Sequence, residues 1–298
     1  MDLKANSNLE KLYDRFKQRV GEDLNDGKVD YLGINISQDQ MRDTEFKMYY
    51  TDAFSRTETH PLVDFLTSEN MVRYLTMVND KNDNRRLRFD IGIKNRTNEN
   101  MERMFDWLDK NVEMFRSSKN EIKKLSSMRM TDQEGFKYAS LYFIGFIAVD
   151  SRIDVLKFHF YNRICDDSDN LYDNYKFDDT YYLEYLRASG IKVFSDLVNI
   201  MNLTLRHCGG HLWMTGVDYK KEGSRKYKIY IKHPQKLYDG LLAVFADDKY
   251  RVLKDRIEGV KEWNEKHPCF KYEGFAICLD NENKLSINFY YVMRGEVE

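Results

Sequence analysis

The sequence predicts an α+β protein in which a closed, ten-stranded antiparallel barrel is surrounded by helices. One hairpin pattern occurs five times in the 298 residues, and amphipathic segments separate the copies. In the second strand of each hairpin, polar residues alternate with apolar ones. Helices packed outside a barrel would cover the apolar face of each strand, so the polar face would line the interior.

The hairpins are clearest at 140–162, 211–233 and 272–292, and two weaker copies begin at Tyr31 and Met71. In the three clear copies an apolar strand ends in Val-Asp or Leu-Asp, and a polar turn and an alternating strand follow. We interpret the aspartates at these ends as turn residues whose carboxylates bond nearby backbone amides. They are Asp150, Asp218 and Asp280.

Four segments between the hairpins have apolar residues at helical spacing. They are 7–20, 98–115, 191–205 and 249–263. The first begins with Ser7 and Glu10 at the spacing of a capping box. We predict helices here, packed by their apolar stripes against the outside of the barrel.

The composition indicates one globular domain across residues 1–298. With 47 basic and 49 acidic residues the net charge is −2, which provides no overall field for nucleic acid or a membrane surface. The four cysteines lack metal-ligand spacing and fit reduced thiols. Neither a signal-peptide core nor a membrane-spanning run is visible, so we expect a soluble cytoplasmic protein without a nucleic-acid or membrane partner.

The strand "KYKIYIK" at 226–232 shows what the interior would contain. Its apolar positions would face the helices, so that its lysines would face the lumen. Applied to all five second strands, this parity predicts a lumen lined by Glu45, Lys47, Tyr49, Arg86, Arg88, Asp90, Lys157, His159, Tyr161, Lys226, Lys228, Tyr230, Ser286, Asn288 and Tyr290. On the first strands, the small residues Gly33, Gly216, Gly274 and Ala276 would leave room.

A barrel of ten strands is wider than side chains alone can fill, so we expect it to hold a ligand. Cations that converge on a cavity of low dielectric repel one another unless a polyanion neutralises them, and a diphosphate would do so. The tyrosines between the cations present π-faces that can stabilise a carbocation. These two features together predict a site for an allylic diphosphate.

In three strand motifs, "KYKIYIK", "LKFHFYN" and "SINFYYV", the chain resembles the aromatic prenyltransferases of the αββα (ABBA) barrel type. The resemblance covers nearly the whole chain as architecture, and the length and the His-containing strand look most like the cyanobactin-type branch that prenylates ribosomally made peptides. It implies that Lys47, Arg86, Arg88, Lys157, Lys226, Lys228 and Asn288 bind the substrates, and that Tyr49, Tyr161, Tyr230 and Tyr290 shield the allyl cation.

That family tends to place an acid on its first hairpin, to assist deprotonation of the acceptor. Here the first strand reads "YLGINIS", without a carboxylate on its lumen face. Glu45 and Asp90 are the substitutes, each either an ion-pair partner of Lys47 or Arg88 or a proton acceptor. His159 is either a donor to phosphate or a base.

The implied reaction moves a dimethylallyl or geranyl group to a nucleophilic side chain of a peptide or to an aromatic acceptor. No DDxxD pair is present to hold Mg²⁺ on a helix, so Mg²⁺ would arrive with the diphosphate, and no organic cofactor or bound metal is implied. The acidic segment 165–182 is either a contact surface for an extended peptide or a solvated loop.

Three other functions remain open. A prenyltransferase acting on small indoles or phenols would need a closed lumen. A barrel that only carries a hydrophobic or anionic ligand would need neither an ordered acid or base nor the tyrosines. A nucleic-acid binder would need 226–232 exposed as a basic aromatic platform.

Overall fold

The computed structural model describes residues 9–18, 31–51, 60–79, 86–128, 137–138, 140–149, 152–161, 179–188 and 191–293. Within them, ten antiparallel strands form a closed barrel in which each strand pairs with its neighbours in sequence and the first pairs with the last. The predicted fold class and the five hairpins are therefore confirmed. The strands are β1 (Tyr31–Ser37), β2 (Glu45–Thr51), β3 (Val72–Asn79), β4 (Arg86–Ile93), β5 (Leu141–Val149), β6 (Arg152–Tyr161), β7 (His211–Lys220), β8 (Arg225–Lys232), β9 (Phe270–Asp280) and β10 (Leu285–Met293).

Helices occupy the connections between hairpins. They are α1 (residues 9–18), α2 (Pro61–Ser68), α3 (Asn98–Asn111), α4 (Glu113–Ser127), α5 (Asp179–Ala188), α6 (Lys192–Cys208), α7 (Leu237–Val244) and α8 (Arg251–Lys266). The first residues of α2 show how the sequence determines where a helix begins. Pro61 takes the first helical position, and the His60 side chain accepts a hydrogen bond of 3.1 Å from the Leu62 amide. None of the described helices is long and apolar enough to cross a membrane.

The segment 98–115 is divided, whereas the sequence pattern predicted a continuous helix. Val112 has extended backbone angles, φ −128° and ψ 103°, so α3 ends before it and α4 begins after it. The apolar stripe is nevertheless buried on both sides of the break, with Met104 and Phe115 fully covered. The chain thus turns without losing its apolar face.

The main core lies between the barrel and the helices. Trp263 of α8 is its best example, because its ring contacts Tyr13 of α1 edge-on at 5.0 Å and stacks on Phe270 at 5.5 Å. The strand residues assigned to the outer face, such as Ile229 and Phe289, belong to this core. The apolar face of the strands therefore points outward, as the alternation predicts.

Gly274 allows β8 and β9 to approach each other. A Cβ atom at this position would lie 2.4 Å from the backbone oxygen of Ile231. We expect Gly274→Ala to lower the free energy of unfolding by about 3 kcal/mol, because backbone cannot move aside as a side chain can. Urea denaturation measures this loss. Gly33→Ala is the matched control: its Cβ would meet only the ring of Tyr49, at 2.9 Å, and an equal loss in both variants would contradict the prediction.

Candidate active site

Register brings the polar lumen residues together in rows across neighbouring strands. One row contains Asp90, Gly145, Lys157, Asp218 and Lys226 on β4 to β8. Successive members are one inter-strand spacing apart, so their side chains meet although they are distant in sequence.

The adjacent row contains His159, Gly216, Lys228, Cys278 and Ser286 on β6 to β10. A second apolar cluster, separate from the main core, lies on the same inner face and includes Tyr230. The inner face thus has a polar part and an aromatic part.

The polar part is a group of six side chains that we call the lumen cluster: Arg88, Asp90, Lys157, His159, Asp218 and Lys228. Lys157 is 2% exposed, and its Nζ lies 3.6 Å from an Asp90 oxygen. Within the described residues, this Nζ has no hydrogen-bond partner. Lys228 is 6% exposed and donates a hydrogen bond of 2.6 Å to Asp218. Arg88 lies 3.7 Å from Asp90. Two of the lysines that the alternation assigned to the lumen are therefore buried within it.

The lumen cluster is almost neutral, because Asp90 is the ion-pair partner of Arg88, one of its two predicted roles, and Asp218 adds a second carboxylate that the sequence analysis did not place in the lumen. Burial by itself raises the pKa of Asp90, but Lys157 and Arg88 outweigh it and hold the pKa at about 2. Lys228 and Lys157 likewise outweigh burial at Asp218 and hold its pKa well below the usual range. Both aspartates are therefore ionised at neutral pH and balance part of the positive charge.

Lys157 is the amine with the most perturbed environment. Burial, reinforced by the positive charge of Arg88, lowers the pKa of Lys157 to about 7, even though Asp90 and Asp218 act in the opposite direction. A buried amine of this kind is poised to take up a proton when an anion enters.

Asp218 is the residue that sequence reasoning missed. The sequence pattern assigned it to a turn with Asp150 and Asp280, but it lies within β7, is buried and pairs with Lys228. Asp218 follows Gly216 by two residues, so on a strand both face the same side, and Gly216 was already assigned to the lumen. This spacing could have identified Asp218 from the sequence. Asp280 does act as a turn residue and accepts bonds from the amides of Glu282 and Lys284. Asp150 lies outside the described residues.

His159 joins the lumen cluster to the aromatic part of the lumen. Its Nε2 lies 3.0 Å from the hydroxyl of Tyr230, and its buried Nδ1 has no hydrogen-bond partner in the part of the chain that the structure describes. Burial, together with the charge of Lys228, lowers the pKa of His159 to about 4, so the imidazole is neutral at physiological pH. Burial also raises the pKa of Tyr230 well above its usual value, so its phenol keeps its proton.

The aromatic part of the lumen is a set of rings in mutual contact, which we call the sheath. Tyr230 stacks on Tyr290 with ring centroids 6.0 Å apart, and Tyr290 meets Tyr49 edge-on at 6.0 Å. Trp213, which the sequence reasoning did not single out, meets Tyr230 edge-on at 6.3 Å and Tyr161 at 5.8 Å. Four tyrosines predicted to shield a cation are thus in one set of ring contacts.

At the barrel end opposite the hairpin turns, the sheath reaches a partly exposed rim. The Lys232 ammonium lies 3.9 Å from the ring centroid of Trp213 and 2.9 Å from a Glu273 oxygen. Lys232 is the last residue of β8, and its side chain is 19% exposed. The rim is therefore a polar and aromatic border around the lumen.

The other predicted site residues lie around the lumen cluster. Glu45 and Lys47 form their own ion pair at 3.3 Å on β2. Asn288 accepts a bond from the Asn35 amide and donates one of 3.4 Å to the Cys278 sulfur. Lys226 is partly exposed near the turn between β7 and β8. Arg86 lies on β4, and its side chain is outside the described part of the structure.

One of the small residues predicted for the lumen, Gly216, makes room for a neighbouring side chain, and so does Gly145, which the sequence pattern did not single out. A Cβ at Gly216 would lie 2.8 Å from Cδ2 of His159, and one at Gly145 would lie 2.2 Å from Oδ1 of Asp90. These glycines therefore let the polar side chains of the next strand lie flat across the barrel wall.

Three solved structures are similar to this chain. AnaPT from Neosartorya fischeri matches over 90% of this chain and 80% of its own, at 8% identity and a TM-score of 0.57. The NotF prenyltransferase matches over 89% and 80%, at 7% identity and a TM-score of 0.57. A 5-dimethylallyltryptophan synthase from Streptomyces coelicolor matches over 90% and 81%, at 9% identity and a TM-score of 0.49. Neither a protein-family model nor a curated protein sequence matches the chain.

The architecture is therefore the αββα prenyltransferase barrel. At identities below 10%, the first two structures establish the fold alone, and the TM-score of the third is too low to support an argument. The function of the barrel therefore depends on the side chains that line its own lumen.

Proposed function

We propose that this protein transfers an isoprenyl group from an allylic diphosphate to a nucleophilic side chain of a peptide or to an aromatic acceptor. The observation that carries the proposal is the position of Lys157. It is a buried amine without a hydrogen-bond partner among the described residues, it lies in one cluster with Arg88 and Lys228, and that cluster adjoins a tyrosine sheath. Anion binding and cation shielding are the two requirements for ionising an allylic diphosphate.

In this mechanism, Lys157, Lys228 and Arg88 bind the diphosphate and stabilise the negative charge that develops as the carbon–oxygen bond breaks. Lys47, Arg86 and Lys226 are assigned to the edge of the same anion site. Tyr49, Tyr161, Tyr230 and Tyr290 surround the allyl cation and exclude water until the acceptor attacks. Arg88 already lies over the ring of Tyr49, with its Cζ 5.7 Å from the ring centroid.

We propose no resident metal for this mechanism. Among the described residues, no group of three or more His, Cys, Asp or Glu side chains is placed to hold a metal ion. We assign Mg²⁺ only as a companion of the diphosphate, where the carboxylates of Asp90 and Asp218 are nearby oxygen donors.

The test is incubation with dimethylallyl and geranyl diphosphates against aromatic amino acids and short peptides, read by mass spectrometry. We expect an acceptor to gain the mass of one or two isoprene units. Tight binding of the donor without turnover on any acceptor would instead favour a barrel that only carries an anionic ligand. A basic aromatic platform for nucleic acid finds no support, because Lys228 and Tyr230 are buried inside the barrel.

For the acceptor, we favour a peptide over a small indole or phenol. The partly exposed rim at Trp213, Lys232 and Glu273 gives a backbone polar and aromatic contacts while one side chain enters the lumen. The half-exposed Tyr272 lies beside it on β9. The acidic segment 165–182 remains a predicted contact, and most of it lies outside the described residues.

We therefore expect a tryptophan or tyrosine within a peptide to be prenylated with a kcat/KM about 100-fold higher than the free amino acid, because remote binding energy is absent from the smaller substrate. Competition between the two acceptors in one reaction measures the ratio directly. The N-acetyl amide of the same amino acid is the control for the loss of terminal charges. Equal specificity constants would contradict the peptide assignment and leave prenyl transfer intact.

A further inference from the structure

Loss of a proton by the acceptor is a step of the proposed function, on which the following inference rests. When an aromatic carbon is alkylated, the cationic adduct must lose a proton. The lumen positions of β1 are Tyr31, Gly33, Asn35 and Ser37, none of which is a carboxylate. The proton acceptor must therefore come from another strand.

The lumen carboxylates are engaged elsewhere. Glu45 pairs with Lys47 at 3.3 Å, Asp90 lies between Lys157 and Arg88, and Asp218 accepts a hydrogen bond from Lys228. An aspartate that balances a buried cation would leave that cation uncompensated if it took up a proton. We therefore consider the residues of the sheath as the source of the base.

Tyr230 and His159 form the polar link between the sheath and the lumen cluster. The Tyr230 ring lies between those of Tyr290 and Trp213, and its hydroxyl is 3.0 Å from Nε2 of His159. Both residues are buried. An acceptor held within the sheath would therefore meet the phenol oxygen of Tyr230.

The contact between Tyr230 and His159 allows either group to donate, depending on the tautomer of the imidazole. With the Tyr230 hydroxyl as the donor to Nε2, the neutral imidazole carries its own proton on Nδ1. That Nδ1 is buried and has no hydrogen-bond partner in the described part of the lumen. The charged groups that act on the ring are Lys228, Asp90, Asp218 and Lys157, and the two lysines among them are assigned to the diphosphate.

We propose that Tyr230 and His159 relay the acceptor's proton to the departed diphosphate. The phenol oxygen of Tyr230 takes the proton from the alkylated acceptor while its own proton passes to Nε2 of His159, and the Nδ1 proton passes to a diphosphate oxygen. The carbon–hydrogen electron pair restores the aromatic ring of the acceptor. The sum is prenylated acceptor and protonated diphosphate, and the pair regains its starting tautomer by exchange with water after release.

This assignment changes the role of His159 from a simple donor to phosphate into the second member of a relay. A weakly basic imidazole is sufficient, because a protonated aromatic ring is a far stronger acid than an imidazolium ion. Tyr230 is the residue that contacts the acceptor, and His159 acts through it.

The test compares Tyr230→Phe and His159→Gln with the wild-type protein on an acceptor deuterated at the alkylated carbon. Glutamine can accept a hydrogen bond from Tyr230 but cannot carry a proton onward, so it separates relay from positioning. We expect transfer to fall about 100-fold in both variants, and the primary deuterium isotope effect to rise from near 1 to roughly 3 as proton loss becomes limiting. For alkylation at oxygen or nitrogen, reaction in D₂O supplies the label.

Hydrolysis of the donor without acceptor is the second readout, because it needs ionisation but no proton from an acceptor. It should fall by less than about tenfold in His159→Gln. Tyr161→Phe, which alters another ring of the sheath, is the matched control and should keep an isotope effect near 1.

Two results would overturn the relay. One is slower transfer with an unchanged isotope effect, which would make the pair structural. The other is a parallel loss of donor hydrolysis, which would restrict His159 to the diphosphate. A wild-type protein inactive in both transfer and hydrolysis would instead remove the proposed function, and the relay with it.

Discussion

Replacing Lys228 with methionine is expected to lower kcat/KM for prenyl transfer by about 100- to 1000-fold. The reason is the loss of one charge-assisted contact to the diphosphate inside a buried site, where such contacts are strongest as the leaving group departs. The measurement is steady-state transfer at fixed acceptor, with binding of a non-hydrolysable donor analogue as the parallel readout. Lys284→Met is the control, because this partly exposed lysine at the turn between β9 and β10 pairs with Glu282 and Asp39, outside the lumen cluster.

The same change leaves Asp218 as a buried charge without its 2.6 Å partner, so the single variant is also expected to lose about 3 kcal/mol of folding stability. Lys228→Met combined with Asp218→Asn removes both charges and should recover most of that stability. Activity should not recover, because the contact to the donor is still absent. Normal turnover in the folded double variant would remove Lys228 from the anion site.

The Lys157→Met variant is expected to stabilise the free protein while destroying its affinity for the donor. The pKa of this amine falls from 10.5 to about 7 on folding, so folding favours its neutral form and opposes its charged form. Methionine occupies a similar volume without that penalty, and Asp90 keeps Arg88 as a partner. We expect a gain of about 1 to 3 kcal/mol at pH 6 by urea denaturation.

The gain in stability from Lys157→Met is expected to depend on pH. Between about pH 7 and pH 10.5, the unfolded chain binds a proton at Lys157 that the folded protein does not, so the stability of the wild-type protein rises with pH across that window. Below pH 7 the penalty is present in full. The advantage of Lys157→Met should therefore be large at pH 6 and small at pH 9.5, and a variant less stable than wild type at both values would contradict the assignment.

The affinity for the donor is expected to change with pH in the direction opposite to the stability of the wild-type protein. An entering diphosphate favours the charged amine, so the wild-type protein takes up a proton on binding, and affinity should fall as pH rises above 7. Calorimetry in buffers of different ionisation enthalpy measures this uptake. Lys157→Arg keeps a fixed charge and should lose the extra uptake while still binding, whereas Lys157→Met should lose both. Identical proton uptake in wild type and Lys157→Arg would place the titrating group elsewhere.

Given a closed barrel of five hairpins, local alternation was sufficient to predict the inward face of its strands. In "KYKIYIK" the apolar positions belong to the main core and Lys228 and Tyr230 to the lumen, because a period of two fixes the face whatever the strand pairs with. The outward burial of Ile229 follows from the same rule. The same reasoning identified Lys157 and His159 before any strand neighbour was known.

The partners of these residues were decided by tertiary structure alone. His159 and Tyr230 are 71 residues apart in the chain. Only the register of β6, β7 and β8 brings Nε2 of His159 within hydrogen-bond distance of the Tyr230 hydroxyl. Asp218 resembled a turn residue because strand length depends on pairing, and its true partner, Lys228, lies on the next strand. The sequence thus determined which side chains face the lumen, whereas closure of the barrel decided which of them meet, since register depends on contacts that no local pattern records.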